Sequence, residues 1–261
     1  MQIFASASVG CATIGLSGHS TENASLEPVG NSIESSNAGW SFAGETSEHF
    51  EEHVRRSVPL YALGHELVAS ISDFFLSQGS HCYDLGCATG TLTALLAQRH
   101  SGKQIQFVGI DAEMDMVRRS QQRCRAFANV KIRCEDAIEL EFEPADLVVA
   151  YYTMQFVKPK HRQELFSRIY KALNWGGGFL LFEKVRGPDA RFQDMMSAIY
   201  TDFKLSQGFT GNEIVAKNRS LKGILEPFST AGNLGLLQRA GFEDITTVMK
   251  YLCFEGFLAI K

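Results

Sequence analysis

Apolar residues recur in two different ways along this chain, and the change falls near residue 81. Before it, Phe50, Val54, Val58, Leu60, Leu63, Leu67, Val68 and Ile71 follow helical spacing, and Pro59 divides the run into two helices. From His81 onward, near-continuous apolar runs take turns with amphipathic ones. CYDLG (82–86), IQFVGI (105–110), VKIRCE (130–135), DLVVAYY (146–152) and FLLFEKV (179–185) read as strands. TLTALLAQRH (91–100), AEMDMVRRSQQRCRAFA (112–128) and HRQELFSRIYKALN (161–174) read as helices, the last stopped by Gly176, Gly177 and Gly178. Apolar strands separated by helices of this length imply a parallel sheet covered on both faces.

The ends depart from that alternation. GNLGLLQRAG (232–241) reads as a helix closed by Gly241. DITTVMKYLCF and GFLAIK then form an antiparallel hairpin around a tight Glu255-Gly256 turn. Between 187 and 230, helices over 189–206 and 211–221 and a loop through Pro227 form an insertion expected to cap one end of the sheet. Residues 1–40 are rich in Ser, Gly, Asn and Ala without periodicity and read as a disordered tail. The expectation is one α/β domain over 41–261, with lid helices in 41–80 and the cap in 187–230.

Composition narrows the function classes. Net charge is -4, so nothing marks a nucleic-acid or anionic-membrane surface. The six cysteines, at 11, 82, 87, 124, 134 and 253, form no Cys-x-x-Cys pair and no zinc spacing. They read as reduced thiols of a cytoplasmic protein without a metal site. No run approaches a membrane span. No Lys or Arg precedes Arg55, which speaks against a signal or transit peptide.

In an open parallel sheet the binding crevice lies at the carboxyl ends of the strands. Four successive strand ends carry chemistry there: Asp84-Leu85-Gly86, Asp111, Asp136 and Tyr151-Tyr152. In YDLGCATGTL, Gly86 and Gly90 bracket a strand-to-helix turn, and Cys87 and Ala88 are small enough for a ligand to approach the backbone. The loop lacks the G-x-G-x-x-G of a dinucleotide site, so it suits a ligand without a pyrophosphate. Asp84 can take an ammonium group. Asp111 can accept from ribose hydroxyls, or simply cap the helix that begins at Ala112. Asp136 can meet an exocyclic amine, with the Ala137 N–H offered to a ring nitrogen, or be a solvated turn residue.

With these residues in place, the chain resembles the class I S-adenosylmethionine-dependent methyltransferases, a Rossmann-like fold with a mostly parallel seven-stranded sheet ending in an antiparallel hairpin. Within them it is most similar to the carboxy-S-adenosyl-L-methionine synthases. The likeness rests on RRSVPLY (55–61), YDLGCATG (83–90), TMQF (153–156), LNWGGGFLLFEK (173–184) and DFK (202–204), and covers roughly 45–261. It implies S-adenosyl-L-methionine as cofactor, held by Tyr61, Gly86, Cys87, Asp111 and Asp136, and a homodimer. Two positions depart from the family pattern. Tyr151 stands where the family has Asn. The family's carboxylate-holding Arg falls on Asn218, and a one-residue shift would bring Arg219 into its place.

Tyrosine faces suit a sulfonium through cation–π attraction. Side chains alternate along a strand, so only one of Tyr151 and Tyr152 is expected to reach the cofactor, and the match to the family Asn points to Tyr151. A phenol there could also orient a nucleophile or take its proton. Arg219 is the expected carboxylate clamp, and His65 is expected to be solvated. The leading expectation is methyl transfer to a small-molecule acceptor. The alternatives are carboxy-S-adenosylmethionine synthesis from prephenate, cyclisation to azetidine-2-carboxylate with release of methylthioadenosine, and a non-catalytic binding module.

Overall fold

The computed structural model describes residues 25–261. Its centre is a seven-stranded sheet in the order β5-β4-β3-β6-β7-β9-β8. The strands are β3 (His81–Leu85), β4 (Gln106–Asp111), β5 (Val130–Cys134), β6 (Ala145–Tyr151), β7 (Leu173–Lys184), β8 (Asp244–Tyr251) and β9 (Phe254–Ile260). β3 to β7 run parallel, whereas β9 is antiparallel to both β7 and β8. The parallel core is what the alternation of apolar runs implied, and with the antiparallel closing pair it forms the class I methyltransferase architecture that the resemblance implied.

Both faces of the sheet are covered, as the unbroken apolar strands require. One face packs α5 (Pro159–Ala172) and α8 (Thr230–Ala240) onto Val148, Ala150, Phe179, Leu181 and Phe257. The other packs α2 (Tyr61–Ser72) and α3 (Thr91–Arg99) onto Leu147, Val149, Leu180 and Phe182. Along α4 (Met114–Cys124), Met116, Val117, Ser120 and Cys124 are buried, a stripe at 3- and 4-residue steps. α1 (Glu45–Ser57) and the cap helices α6 (Ala190–Ser206) and α7 (Gly211–Ser220) close over the carboxyl end of the sheet. No described helix is long and apolar enough to cross a membrane.

Three local expectations need correction. Residues 1–24 lie outside the described part, but 25–40 are not a tail. β1 (Glu27–Pro28) and β2 (Glu34–Ser35) form a small hairpin there. It is held because Val29, Ile33 and Trp40 bury themselves against α7, and the Ala38 and Trp40 N–H groups donate to the Arg219 and Ser220 carbonyls. Second, Gly176–Gly178 do not stop α5, which ends at Ala172; they lie within β7, and Gly176 and Gly177 pair with Lys261. Third, the closing hairpin turns at Leu252-Cys253, with Tyr251 opposite Phe254. Glu255 lies inside β9, where Thr230, Thr247 and Lys250 satisfy its buried carboxylate.

Candidate active site

The carboxyl ends of the strands and the cap enclose a cavity of about 1420 Å³. Ordinary small-molecule sites occupy roughly 300–1,000 Å³, so this one has room for more than a single ligand.

Its floor begins at the glycine loop. Gly86, Ala88 and Gly90 all have positive φ (70°, 47° and 77°). A Cβ at Gly86 would collide with the Thr153 side chain, and one at Gly90 with Ser120. The Gly86 and Cys87 N–H groups donate to the Ile110 carbonyl at 2.7 and 3.0 Å, and the Ala88 N–H donates to Asp111 Oδ2 at 2.9 Å. These donors are therefore spent within the protein, and the loop offers close approach rather than hydrogen bonds. Cys87 is buried, its Sγ 3.7 Å from Ser120 Oγ.

The acidic strand ends lie along this floor. Asp111 Oδ1 accepts from the Glu113 N–H at 2.9 Å, so the carboxylate ties the loop to the end of β4. It does not cap α4, whose N-cap is Glu113. Each carboxylate oxygen keeps a further lone pair for a ribose hydroxyl. Ala112 follows on the cavity wall, and exposed Asp136 stands at the rim beside buried Ala137, its Oδ1 accepting from the Ile138 N–H at 3.0 Å. Asp84 is buried and accepts from Thr93 Oγ1 at 2.6 Å. Burial, with Asp111 nearby, pushes its carboxyl up to about 6. Among the described residues it forms no ion pair, which fits a carboxylate waiting for a ligand's ammonium group.

Above the floor stands an aromatic cage, and here the structure overturns the alternation argument. Tyr152 has φ 60°, so the chain leaves the pleat immediately after Tyr151 and both rings face the cavity. Their centroids are 4.8 Å apart, and Tyr61 lies 5.2 Å from Tyr151 and stacks 6.3 Å from Tyr152. The Tyr151 hydroxyl donates to the Tyr61 carbonyl at 2.7 Å. Buried His65 packs on Tyr151 at 4.5 Å rather than facing solvent, and burial pulls its imidazole down to about 4. Burial raises the phenols of Tyr61, Tyr151 and Tyr152 above their ordinary value, so they stay protonated. They present ring faces and O–H donors, not phenolate bases.

The third part is cationic and went unseen in the sequence. Lys184 at the end of β7, Lys204 on α6 and Lys217 on α7 all line the cavity. The Lys184 and Lys204 ammonium groups lie 4.4 and 4.8 Å from the Tyr200 ring centroid, and that of Lys217 sits over the Trp40 ring. None has a carboxylate partner among the described ion pairs. Burial lowers all three below the usual lysine range, Lys204 to about 7 with Lys184 reinforcing it. Arg219, the expected clamp, is exposed and does not line the cavity. At 100° per residue it lies about 200° round α7 from Lys217, away from the buried face of Ile214, Lys217 and Ser220. Asn218 does reach the cavity wall. Four buried side-chain polar atoms among the described residues lack a partner, and three belong to this wall: His53 Nε2, Ser57 Oγ and the Tyr152 hydroxyl.

Residues 83–177 match the family model described as a methyltransferase domain. The carboxy-S-adenosyl-L-methionine synthase of Staphylococcus epidermidis is 34% identical over 85% of this chain and 97% of its own. Its counterpart from Campylobacter lari is 36% identical over 84% and 94%. Among solved structures, a methyltransferase from Methanosarcina mazei superposes with a TM-score of 0.55 at 17% identity, covering 73% of this chain and 96% of that one. The phosphoethanolamine N-methyltransferase 2 of Haemonchus contortus, in complex with S-adenosylhomocysteine, gives 0.54 at 18% identity, covering 75% and 52%.

Proposed function

The chain belongs to the carboxy-S-adenosyl-L-methionine synthase family of S-adenosylmethionine-dependent, methyltransferase-fold enzymes, and from that premise we propose that it joins a carboxyl group from an anionic second substrate, of the prephenate class, to S-adenosylmethionine. The observation that carries this reading is the trio of half-buried Lys184 and buried Lys204 and Lys217, which line the cavity beside the tyrosine cage without a carboxylate partner among the described ion pairs. Buried charges of one sign are retained where a ligand supplies the other.

S-adenosylmethionine, when bound, supplies a methyl group acidified by the attached sulfonium. Asp84 would hold its ammonium end, Asp111 the ribose and Asp136 the adenine side. Tyr61, Tyr151 and Tyr152 would face the sulfonium and exclude water, which strengthens electrostatic contacts inside the cage. The three lysines orient the carboxylates of the second substrate, an alignment role: as its ring aromatises the carboxyl would leave as CO2 against the cage, and the hydroxide expelled from the ring would take up the methyl proton as water.

A second reading is favoured by one observation. Tyr151 stands where the family pattern has Asn and Asn218 where it has the Arg that holds the added carboxyl, and the tyrosine cage alone would suit cyclisation of the cofactor's own aminobutyrate arm. Plain methyl transfer uses the same floor and cage with another acceptor. Incubating the pure protein with S-adenosylmethionine, with and without prephenate, and reading products by mass spectrometry separates these. A cofactor heavier by one carboxyl group only when prephenate is present supports the proposal. Methylthioadenosine formed without a second substrate overturns it in favour of cyclisation.

A further inference from the structure

His53 is a histidine whose tautomer is set by its neighbours and whose remaining nitrogen has nothing to do. It lies on α1 with 6% of its surface exposed, its ring stacked on Trp40 at 5.7 Å and met edge-on by Phe209. Its Nδ1 is 3.2 Å from Asn31 Oδ1 in the turn between β1 and β2. Asn31 Nδ2 donates to Glu52 Oε1 at 2.7 Å, which fixes the amide with its oxygen toward the imidazole. Nδ1 therefore carries the hydrogen, and Nε2 is left as a lone-pair acceptor, buried without a partner. The ring cannot relieve this by taking a second proton: burial, then the charges of Lys217, Lys204 and Arg56, keep it neutral, pulled down to about 2.

An unsatisfied buried acceptor is costly, and in a native fold it calls for an explanation. His53 shares its stretch of cavity wall with Trp40, Ser57, Lys204 and Lys217. The ammonium of Lys217 is turned onto the Trp40 ring and forms no hydrogen bond to the imidazole. A simple carboxylate could satisfy the lysines but would offer nothing to Nε2, because a carboxylate only accepts. A molecule carrying an O–H or N–H beside its anionic group would satisfy both.

We propose that His53 is a specificity-determining residue of the second-substrate subsite, its Nε2 selecting an anionic molecule that also bears a hydroxyl or amino donor. This rests on reading the lysine trio as the anchor of that substrate. Loss of such a donor from a ligand leaves the site's own polar group unpaired, the situation in which discrimination is largest.

The test is calorimetric binding of two probes that differ by one hydroxyl, 3-phenyllactate and 3-phenylpropionate, to protein loaded with S-adenosylhomocysteine. The expected result is at least tenfold tighter binding of phenyllactate, collapsing to near parity in His53→Phe while S-adenosylhomocysteine affinity is unchanged. His53→Leu serves as the acceptor-free variant if Phe disturbs the fold, as judged by S-adenosylhomocysteine affinity. Equal binding of both probes to the natural protein, or a preference that survives in the variants, overturns the role of His53 alone. Failure of both probes to bind overturns the lysine subsite and this inference with it.

Discussion

The Tyr151 hydroxyl donates to the Tyr61 backbone carbonyl across 2.7 Å and so pins the end of β6 to the first turn of α2. Gly64 makes the contact possible, since a Cβ there would collide with that hydroxyl. Both rings of the cage are thereby fixed before any ligand arrives. Cation–π attraction to a sulfonium is worth about 0.5–2 kcal/mol, or roughly two- to thirtyfold in affinity. Tyr151→Leu is therefore expected to weaken S-adenosylmethionine by that factor and the neutral S-adenosylhomocysteine much less. Calorimetry with the two ligands checks it, and an equal loss for both would show that the ring only fills space.

Tyr152 differs from its neighbour in having no partner for its hydroxyl. Removing that oxygen deprives the folded protein of no hydrogen bond. Tyr152→Phe should keep or slightly raise the melting temperature and keep S-adenosylmethionine affinity. It should slow product formation about tenfold or more if the hydroxyl contacts the second substrate. A loss of stability instead would mark the residue as structural.

At Gly86 the backbone sits at φ 70° against the Thr153 side chain. Gly86→Ala combines left-handed strain with a steric clash, at a cost of about 1–3 kcal/mol. Urea unfolding should show that loss, and S-adenosylmethionine binding should weaken at least tenfold because the loop must move to make room.

The positions of the seven sheet strands along the chain, the glycine loop and its three acidic neighbours were legible in the sequence, because strand ends and tight turns are local features. Two readings failed where local rules yield to tertiary structure. Strand alternation predicted one inward tyrosine, but the left-handed backbone at Tyr152 resets the direction of the second ring. Arg219 was chosen by type, yet the phase of α7 is set by which residues it buries, and those are Ile214, Ala216, Lys217 and Ser220. Lys184 could have been found, since it ends the fifth apolar strand by the criterion that picked out the first four. Lys204 and Lys217 could not: they lie on separate helices of the cap and meet only once it docks.

The lysines also impose a pH dependence. Lys204, lowered to about 7 in the folded state, binds a proton more tightly when unfolded. By linkage its contribution makes the ligand-free protein gain stability as pH rises from about 7 toward the ordinary lysine range near 10.4. Lys204→Met should remove that slope and raise the melting temperature at pH 7 by a few degrees, as about 1 kcal/mol moves it by about 2–4 °C in a chain this long. Thermal scans between pH 6.5 and 9.5 decide it; a variant less stable than the natural protein at neutral pH would contradict the assignment of an unpaired charge.

A second, anionic reactant held by Lys184, Lys204 and Lys217 is the centre of the proposed function. Its most direct measurement is calorimetric titration of prephenate into protein saturated with S-adenosylhomocysteine, where no turnover occurs. Saturable one-to-one binding is expected, weakening with added salt, weakening again between pH 6.5 and 8.5, and lost in a Lys204→Met, Lys217→Met double variant that still binds S-adenosylhomocysteine. Absence of binding to the natural protein, or binding that the double variant retains in full, would contradict it.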